Sequence, residues 1–213
     1  MNARVAILDR DGTIIDVLRD EETGAITVAF HPDHIRFLPG AIEGMRALSS
    51  AGFVLAIATN QPAPAKGQFS AAAVKRTNDA LVDKLSREGI AIATVEACMH
   101  HPTGGAGGDP ALVKVCDCRK PKAGMLEAIV SRLGADRASS WMLGDSSGDV
   151  QAGKAAGLKA GLVFATNRCE LCPLRSGPED HADLGTRGAR LTPDAHGASL
   201  AELASAVLAG DPR

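Results

Sequence analysis

Two aspartates, Asp9 and Asp11, follow directly on a short apolar run in AILDRDGTI, residues 6–14. An aspartate held at a strand end can attack phosphorus in line, provided that its own charge and the phosphate's are both neutralised. Magnesium suits that task, because it is a hard cation that takes oxygen ligands octahedrally and keeps waters and phosphate oxygens. Asp9 and Asp145, the latter in GDSSGD, can supply two carboxylates. Asp11 lies two residues beyond Asp9, so an extended backbone points it to the same side. If only its carbonyl meets the metal, its side chain is free to carry a proton to a leaving alkoxide. Thr59 of TNQ offers a hydroxyl, and Lys120 of RKP an ammonium, to phosphoryl oxygens as charge spreads over them.

Each of these residues also has a plain structural reading. Asp9 and Asp11 would make a polar turn, and Asp145 and Asp149 would cap a helix, where acids favour the dipole. Thr59 would be a turn hydroxyl and Lys120 an ordinary surface lysine. Their occurrence together, in this order and at strand ends, favours the chemical reading. Asp149 stands between a cap and a group that supports the metal ligands from behind.

Cys98-Met99-His100 and Cys116-Asp117-Cys118 flank a glycine-rich loop, PTGGAGGDP. A structureless loop of this length is unusual in a compact domain. Four soft ligands closing a tetrahedral zinc site would explain it, and three cysteines with one histidine leave no open position, which makes the zinc structural. His101 is the alternative fourth ligand, and free thiols beside a surface histidine are the plain reading. Cys118 immediately precedes Arg119 and Lys120, so fixing its sulfur fixes where both cations start. Cys169 and Cys172 form a C-x-x-C pair open to redox chemistry, a second metal or partner ligands; two unremarkable loop thiols are the simpler reading. His31, His34, His181 and His196 sit in polar stretches and read as surface residues.

The elements that must position these groups can be read from the hydrophobic pattern. Val5 to Leu8, Phe53 to Ala58, Trp141 to Leu143 and Leu158 to Phe164 read as buried strands, and helical patterns fall near 40–51, 70–88, 122–133 and 147–157. Strands separated by helices of that length predict an α/β fold: a three-layer, doubly wound, mostly parallel sheet whose site lies at the carboxyl ends of its strands. Residues 13–39 form a long insertion with a hairpin pattern in GAITVAF, and residues 166–192 form a polar, glycine-rich stretch. Without repeats or linkers, residues 1–213 read as one domain.

Composition narrows the partners. A net charge of −2 with mixed signs gives no basic stripe, and aromatics are 3% with no Tyr, so nucleic acid is not an expected partner. No apolar stretch reaches the length of a membrane span or a signal-peptide core. A soluble, cytoplasmic chain is expected, with reduced cysteines that favour metal over disulfides.

LDRDGT, TNQ, CDCRKP and GDSSGD, in this order, resemble the four motifs of the haloacid dehalogenase superfamily, in the branch of heptose-bisphosphate and histidinol-phosphate phosphatases. The resemblance runs from residue 4 to about residue 165. It implies that Asp9 forms an aspartyl-phosphate, that Asp11 is the acid and then the base for water, and that Asp9, the Asp11 carbonyl and Asp145 hold Mg2+. It also implies zinc in the C-x-H…C-x-C loop and Arg119 reaching a distal part of the substrate; only 49 residues separate Asp9 from Thr59, including a core helix, so no large cap domain is expected between them. With Asn60, Gln61, Lys66 and Arg19 lending contacts, a sugar bisphosphate is the expected substrate, and the resemblance suggests the 7-phosphate of heptose 1,7-bisphosphate. A monomer is expected. Histidinol phosphate is the runner-up, disfavoured because its cationic imidazole would meet Arg119. A non-catalytic phosphosugar-binding protein is the reading from another class, against which Asp9, Asp11 and Lys120 are all present. Departures from the family pattern are Pro62-Ala63 after TNQ, Lys66 where arginine is common, the long 13–39 segment and the added C-x-x-C.

Overall fold

Val5–Leu8 (β1) is VAIL with every side chain buried. A run with no polar face is what a strand covered on both sides requires. In the computed structural model, which describes residues 3–19, 22, 26–164 and 192–210, β1 lies at the centre of a parallel sheet. The other elements are β2 (Leu18–Arg19), β3 (Ile26–Thr27), α1 (Ala41–Ser50), β4 (Val54–Asn60), α2 (Ala71–Arg87) and β5 (Ile92–Cys98). After these come α3 (Gly124–Leu133), β6 (Trp141–Gly144), α4 (Ser147–Ala155), β7 (Lys159–Val163), β8 (Ala195–Gly197) and α5 (Leu200–Ala209).

The sheet order is β5-β4-β1-β6-β7-β8, with every neighbouring pair parallel. The chain walks outward from β1 through β4 to β5, then crosses back to β6 on the other side of β1. The order therefore reverses between β1 and β6, and a crevice opens beyond their carboxyl ends. Leu8 pairs in register with Leu143, and the Asp9 amide donates to the Leu143 carbonyl at 2.9 Å. Asp9 and Asp145 thus leave adjacent strands side by side.

Alternation along β1 divides the core into two. Ala6 and Leu8 face Met45, Leu48, Leu81 and Leu203 of α1, α2 and α5. Val5 and Ile7 face Leu126, Ile129 and Ala152 of α3 and α4. Each fully buried leucine contributes about 1.5–3 kcal/mol, so both layers hold β1 firmly. Serine caps close the starts of α2 and α5: Ser70 accepts from the Ala73 amide on α2, and Ser199 from the Glu202 amide on α5.

The expected strands and helices all occur, with β4 running on to Asn60. Three elements were not anticipated: β5, β8 and α5. Between β1 and α1 the described residues form the β2–β3 hairpin, pairing Leu18 with Thr27 and Arg19 with Ile26, one turn of 3-10 helix at Pro32–His34, and single bridges pairing Ile15 with Asp11 and Phe37. The return of the hairpin is anchored where the Phe30 ring stacks on Phe69, 4.7 Å between centroids, with His34 against its edge. Cys169, Cys172 and His181 lie outside the described residues. Among the described residues, no helix is long and apolar enough to cross a membrane.

Candidate active site

A cavity of about 190 Å3 opens at the switch point, lined by Asp9, Asp11, Val28, Thr59, Asn60, Lys120, Asp145, Ser146, Gly148 and Asp149. It draws on the ends of β1, β4 and β6, the start of α4 and the hairpin return. One ligand oxygen each from Asp9, Asp145 and Asp149 lies within 4.8 Å of the others. Lys120 Nζ sits among them, 2.7 Å from Asp9 Oδ1, 2.6 Å from Asp149 Oδ1 and 2.7 Å from the Ala58 carbonyl oxygen. Burial disfavours the Lys120 ammonium, but the Asp149 and Asp9 carboxylates outweigh it and hold its pKa above the usual lysine value. Burial pushes Asp9 up to about 7 against the pull of Lys120, with Asp149 and Asp11 adding to the rise. Asp145 is raised well above the ordinary carboxylate value by burial and by the charges of Asp9 and Asp149. Three carboxylates with one ammonium leave excess negative charge in a poorly solvated place. The donors are all hard oxygens, so a magnesium ion fits both the ligand type and the missing charge.

Local backbone chemistry holds this arrangement. Gly12 has φ +84°, and a Cβ there would meet Asp145 Oδ2 at 2.2 Å, so only glycine lets the turn after β1 pass the carboxylate. Asp149 serves two ends at once. In the capping box of α4 its carboxylate accepts from the Ser146 amide at 3.1 Å through Oδ2, leaving Oδ1 to Lys120. Asp149 therefore caps α4 and lines the cavity at the same time.

Asn60 and Gln61, expected to contact the substrate, both make hydrogen bonds within the protein, and Asn60 also lines the cavity. The Asn60 amide donates to the Lys120 carbonyl at 3.0 Å and accepts from the Lys120 amide at 3.1 Å, which fixes the backbone that carries the lysine. Gln61 is fully buried, and its Nε2 donates to Asp11 Oδ2 at 2.6 Å and to Thr59 Oγ1 at 2.8 Å. The Asn60 amide is engaged at both ends by the protein, whereas Gln61 Oε1 is buried without a hydrogen-bond partner among the described residues. Sequence reasoning also missed Arg10, whose fully buried guanidinium grips the Asp11 carboxylate, and Val28, which brings the hairpin to the cavity wall.

The cysteine loop closes on itself. Cys98, Cys116 and Cys118 sulfurs lie 3.1–3.6 Å apart, and His100 Nδ1 lies 3.1 Å from Cys118 Sγ and 3.8 Å from Cys98 Sγ. A tetrahedron with Zn–S near 2.3 Å has an edge of about 3.8 Å, so these four atoms need only a slight expansion to take zinc. His101 turns the other way, its Nδ1 accepting from the Gly104 amide at 3.1 Å. Burial raises the Cys98 and Cys118 thiols; at Cys116 burial acts in the same sense, but hydrogen bonds from Cys118 and from the Arg119 amide prevail and lower it. Burial and then Lys114 lower the His100 pKa, which keeps the imidazole neutral as a ligand must be. Thiols this close cannot all ionise without a cation, and zinc would supply one. The glycines let the loop lie on the segment after β4: a Cβ on Gly108 would meet the Ala65 carbonyl oxygen at 2.0 Å.

Arg119, next to Lys120, has Nη1 buried without a hydrogen-bond partner among the described residues. Burial, then the charges of Lys66 and Arg119, lower the His101 pKa. Arg19 is on β2, and its side chain lies outside the described part of the chain.

A model of the haloacid dehalogenase-like hydrolases matches residues 16–157, and a second model of such hydrolases matches residues 117–203. The chain is 33% identical to the D-glycero-beta-D-manno-heptose-1,7-bisphosphate 7-phosphatase of Pseudomonas aeruginosa over 163 residues, 76% of this chain and 82% of that protein. It is 33% identical to the enzyme of the same name from Escherichia coli K12 over 176 residues, 83% and 84% of the two. Its fold superposes on the D,D-heptose 1,7-bisphosphate phosphatase of B. bronchiseptica, complexed with magnesium and phosphate, with a TM-score of 0.71 at 28% identity, covering 98% of this chain and 99% of that one. Agreement over most of both chains, with the same sheet beneath it, has one meaning: this chain belongs to the haloacid dehalogenase-like hydrolase family.

Proposed function

We propose that the protein is a magnesium-dependent phosphatase that removes the 7-phosphate of D-glycero-D-manno-heptose 1,7-bisphosphate through an aspartyl-phosphate. The observation that carries the reading is the Asp9 carboxylate, buried at the tip of β1 and facing a cavity it shares with Lys120, Asp145 and Asp149. In this reading an Asp9 oxygen bonds to phosphorus as the bond from phosphorus to the sugar oxygen breaks, and Asp11 gives its proton to the leaving alkoxide. Asp11 then takes a proton from the water that attacks the acyl phosphate, releasing inorganic phosphate and restoring Asp9. The Thr59 hydroxyl and the Lys120 ammonium face the equatorial oxygens, where charge spreads in the transition state. Magnesium, held by Asp9, the Asp11 carbonyl and Asp145 with Asp149 behind them, supplies the charge neutralisation that lets two anions approach.

Arg119 supports the second phosphate. A buried guanidinium nitrogen with no hydrogen-bond partner among the described residues is an incomplete site for an anion. The similar phosphatases named above act on a heptose bisphosphate, which carries phosphates at both ends. Zinc, held by Cys98, His100, Cys116 and Cys118, would support catalysis only by fixing where Arg119 and Lys120 begin. The reading treats residues 1–213 as one domain acting as a monomer, which gel filtration tests. Phosphate release from a panel of sugar phosphates, histidinol phosphate and p-nitrophenyl phosphate, with and without Mg2+, tests the rest. Heptose 1,7-bisphosphate should lead and should lose a single phosphate. A lead for histidinol phosphate would move the assignment to the runner-up, and full turnover without Mg2+ would overturn the mechanism.

A further inference from the structure

We propose that Arg10 is a positioning residue for proton transfer, fixing the direction in which Asp11 presents its carboxylate; this rests on the reading of Asp11 given above. Neighbouring residues on an extended strand point to opposite faces, so Arg10 and Asp11 would not meet in a regular strand. Here the chain turns directly after β1, with the Ile14 and Ile15 amides both donating to the Arg10 carbonyl, and the two side chains come together. Arg10 Nε donates to Asp11 Oδ2 and Nη2 to Asp11 Oδ1, both at 3.0 Å, a two-point grip. The far side of the guanidinium is anchored as well: Nη1 donates to Asn78 Oδ1 on α2 at 2.6 Å, and Nη2 to the Ala29 carbonyl at 3.0 Å. Gln61 adds a third donor to Asp11 Oδ2.

The purpose is legible in the chemistry. A wholly buried guanidinium is an expensive way to fill a core, where an apolar side chain of similar volume would serve stability at least as well. What the guanidinium adds is direction: with both carboxylate oxygens gripped, the side chain cannot rotate about its last bond without breaking two charge-assisted hydrogen bonds. Asp11 must meet two different oxygens in turn, the leaving alkoxide and the attacking water, and misplacement by an ångström costs orders of magnitude in rate. The Ala29 contact extends the same grip to the hairpin return, whose Val28 lines the cavity. One side chain therefore ties together the proton-transfer group, α2 and the wall over the site.

A double-mutant cycle tests this with two probes: p-nitrophenyl phosphate, whose leaving group needs no proton, and the sugar phosphate that turns over fastest. Arg10→Gln should lower kcat on the sugar phosphate by about ten- to a hundredfold, the worth of hydrogen bonds to a charged group, with KM little changed and a smaller loss on p-nitrophenyl phosphate. In an Asp11→Asn background the same substitution should cause almost no further loss, because its effect passes through Asp11. Equal losses in both backgrounds would overturn the proposal and leave Arg10 as a structural residue, whereas equal losses on both probes that vanish in the Asp11→Asn background would place the effect of Arg10 in the water-activation step common to both. Wild-type turnover by Asp11→Asn alone would instead sink the role of Asp11, a separate failure. If Arg10→Gln does not fold, Asn78→Ala, which keeps the guanidinium charge and removes only its anchor on α2, goes through the same cycle and is judged by the same outcomes.

Discussion

Replacing Lys120 by methionine would keep an unbranched chain of similar reach while removing the ammonium that Asp9, Asp149 and the Ala58 carbonyl surround at 2.6–2.7 Å. This pair is unlike a surface bridge such as Lys75–Asp79, where the median contribution is about 0–1 kcal/mol. Breaking a buried pair from one side leaves uncompensated charge and costs about 3–5 kcal/mol. For a chain of this size each kcal/mol lowers the melting temperature by about 2–4 °C, so Lys120→Met should melt about 6–20 °C below wild type in EDTA. Magnesium should then recover a large part of the loss, because a cation bound only by the folded state at a hundred times its dissociation constant adds about 2.7 kcal/mol. Calorimetry of both proteins in EDTA and across a Mg2+ titration measures both effects. Turnover should fall by about a hundred- to a thousandfold even where Mg2+ restores stability, since a fixed donor to the transition state is gone. A variant that melts within about 3 °C of wild type in EDTA would refute the argument that Lys120 is the counter-charge of this cluster.

Asp9→Asn should abolish phosphate release with the fold intact, and Asp145→Ala should raise the Mg2+ concentration needed for half-maximal activity; wild-type behaviour of either would remove that residue from its role. Arg119→Ala should lower kcat/KM for a bisphosphate by about ten- to a hundredfold and leave p-nitrophenyl phosphate nearly untouched, whereas equal losses would remove the case for a second phosphate at that nitrogen. The folded-state pKa of Asp9 lies at about 7 against an ordinary 3.8, so the native state holds the extra proton and metal-free stability should decline as pH rises between those values. Melting in EDTA should thus be higher at pH 5 than at pH 8, with Mg2+ flattening the slope, and a rising trend in EDTA would contradict the burial argument. Protein purified without chelator should carry about one zinc per chain from the cluster described, and Cys116→Ser should release it and lower turnover on every substrate; a full complement of zinc in that variant would exclude Cys116 as a ligand.

The placement of the site was legible because its chemistry sits where apolar runs stop. VAIL ends at Asp9, and WMLG ends at Asp145, so finding the strands also found the carboxylates. What escaped had no local signature. β5 is only partly buried along most of its length, and Thr94 and Glu96 interrupt its apolar residues. α5, LAELASAVLA, is apolar on nearly every side, so its helical period is weak, and only packing against α1 and β8 reveals it. Arg10 reads in sequence as one more charge between two aspartates, and its anchors lie 19 and 68 residues away. The choice between His100 and His101 was open for a similar reason. Two adjacent histidines on extended chain face opposite ways, and only the closed loop decides which one meets the sulfurs.

Three segments far apart in sequence converge on the single residue Lys120. The zinc cluster ends two residues before it at Cys118, Asn60 at the tip of β4 binds its backbone in both directions, and Asp149 at the start of α4 pairs with its ammonium. Asp149 is itself held by its capping box with Ser146, so its orientation owes nothing to zinc. The anchors are therefore unequal in what they control. The cluster and Asn60 set the path of the backbone, while Asp9 and Asp149 set where the ammonium comes to rest. Loss of a bound zinc would remove one of the two backbone anchors and neither of the ionic ones, so Lys120 would keep its partners while Arg119 Nη1, buried without a hydrogen-bond partner among the described residues, has no comparable anchor. Zinc removal should accordingly weaken binding of a substrate with a distal anion more than turnover of p-nitrophenyl phosphate, although both should fall.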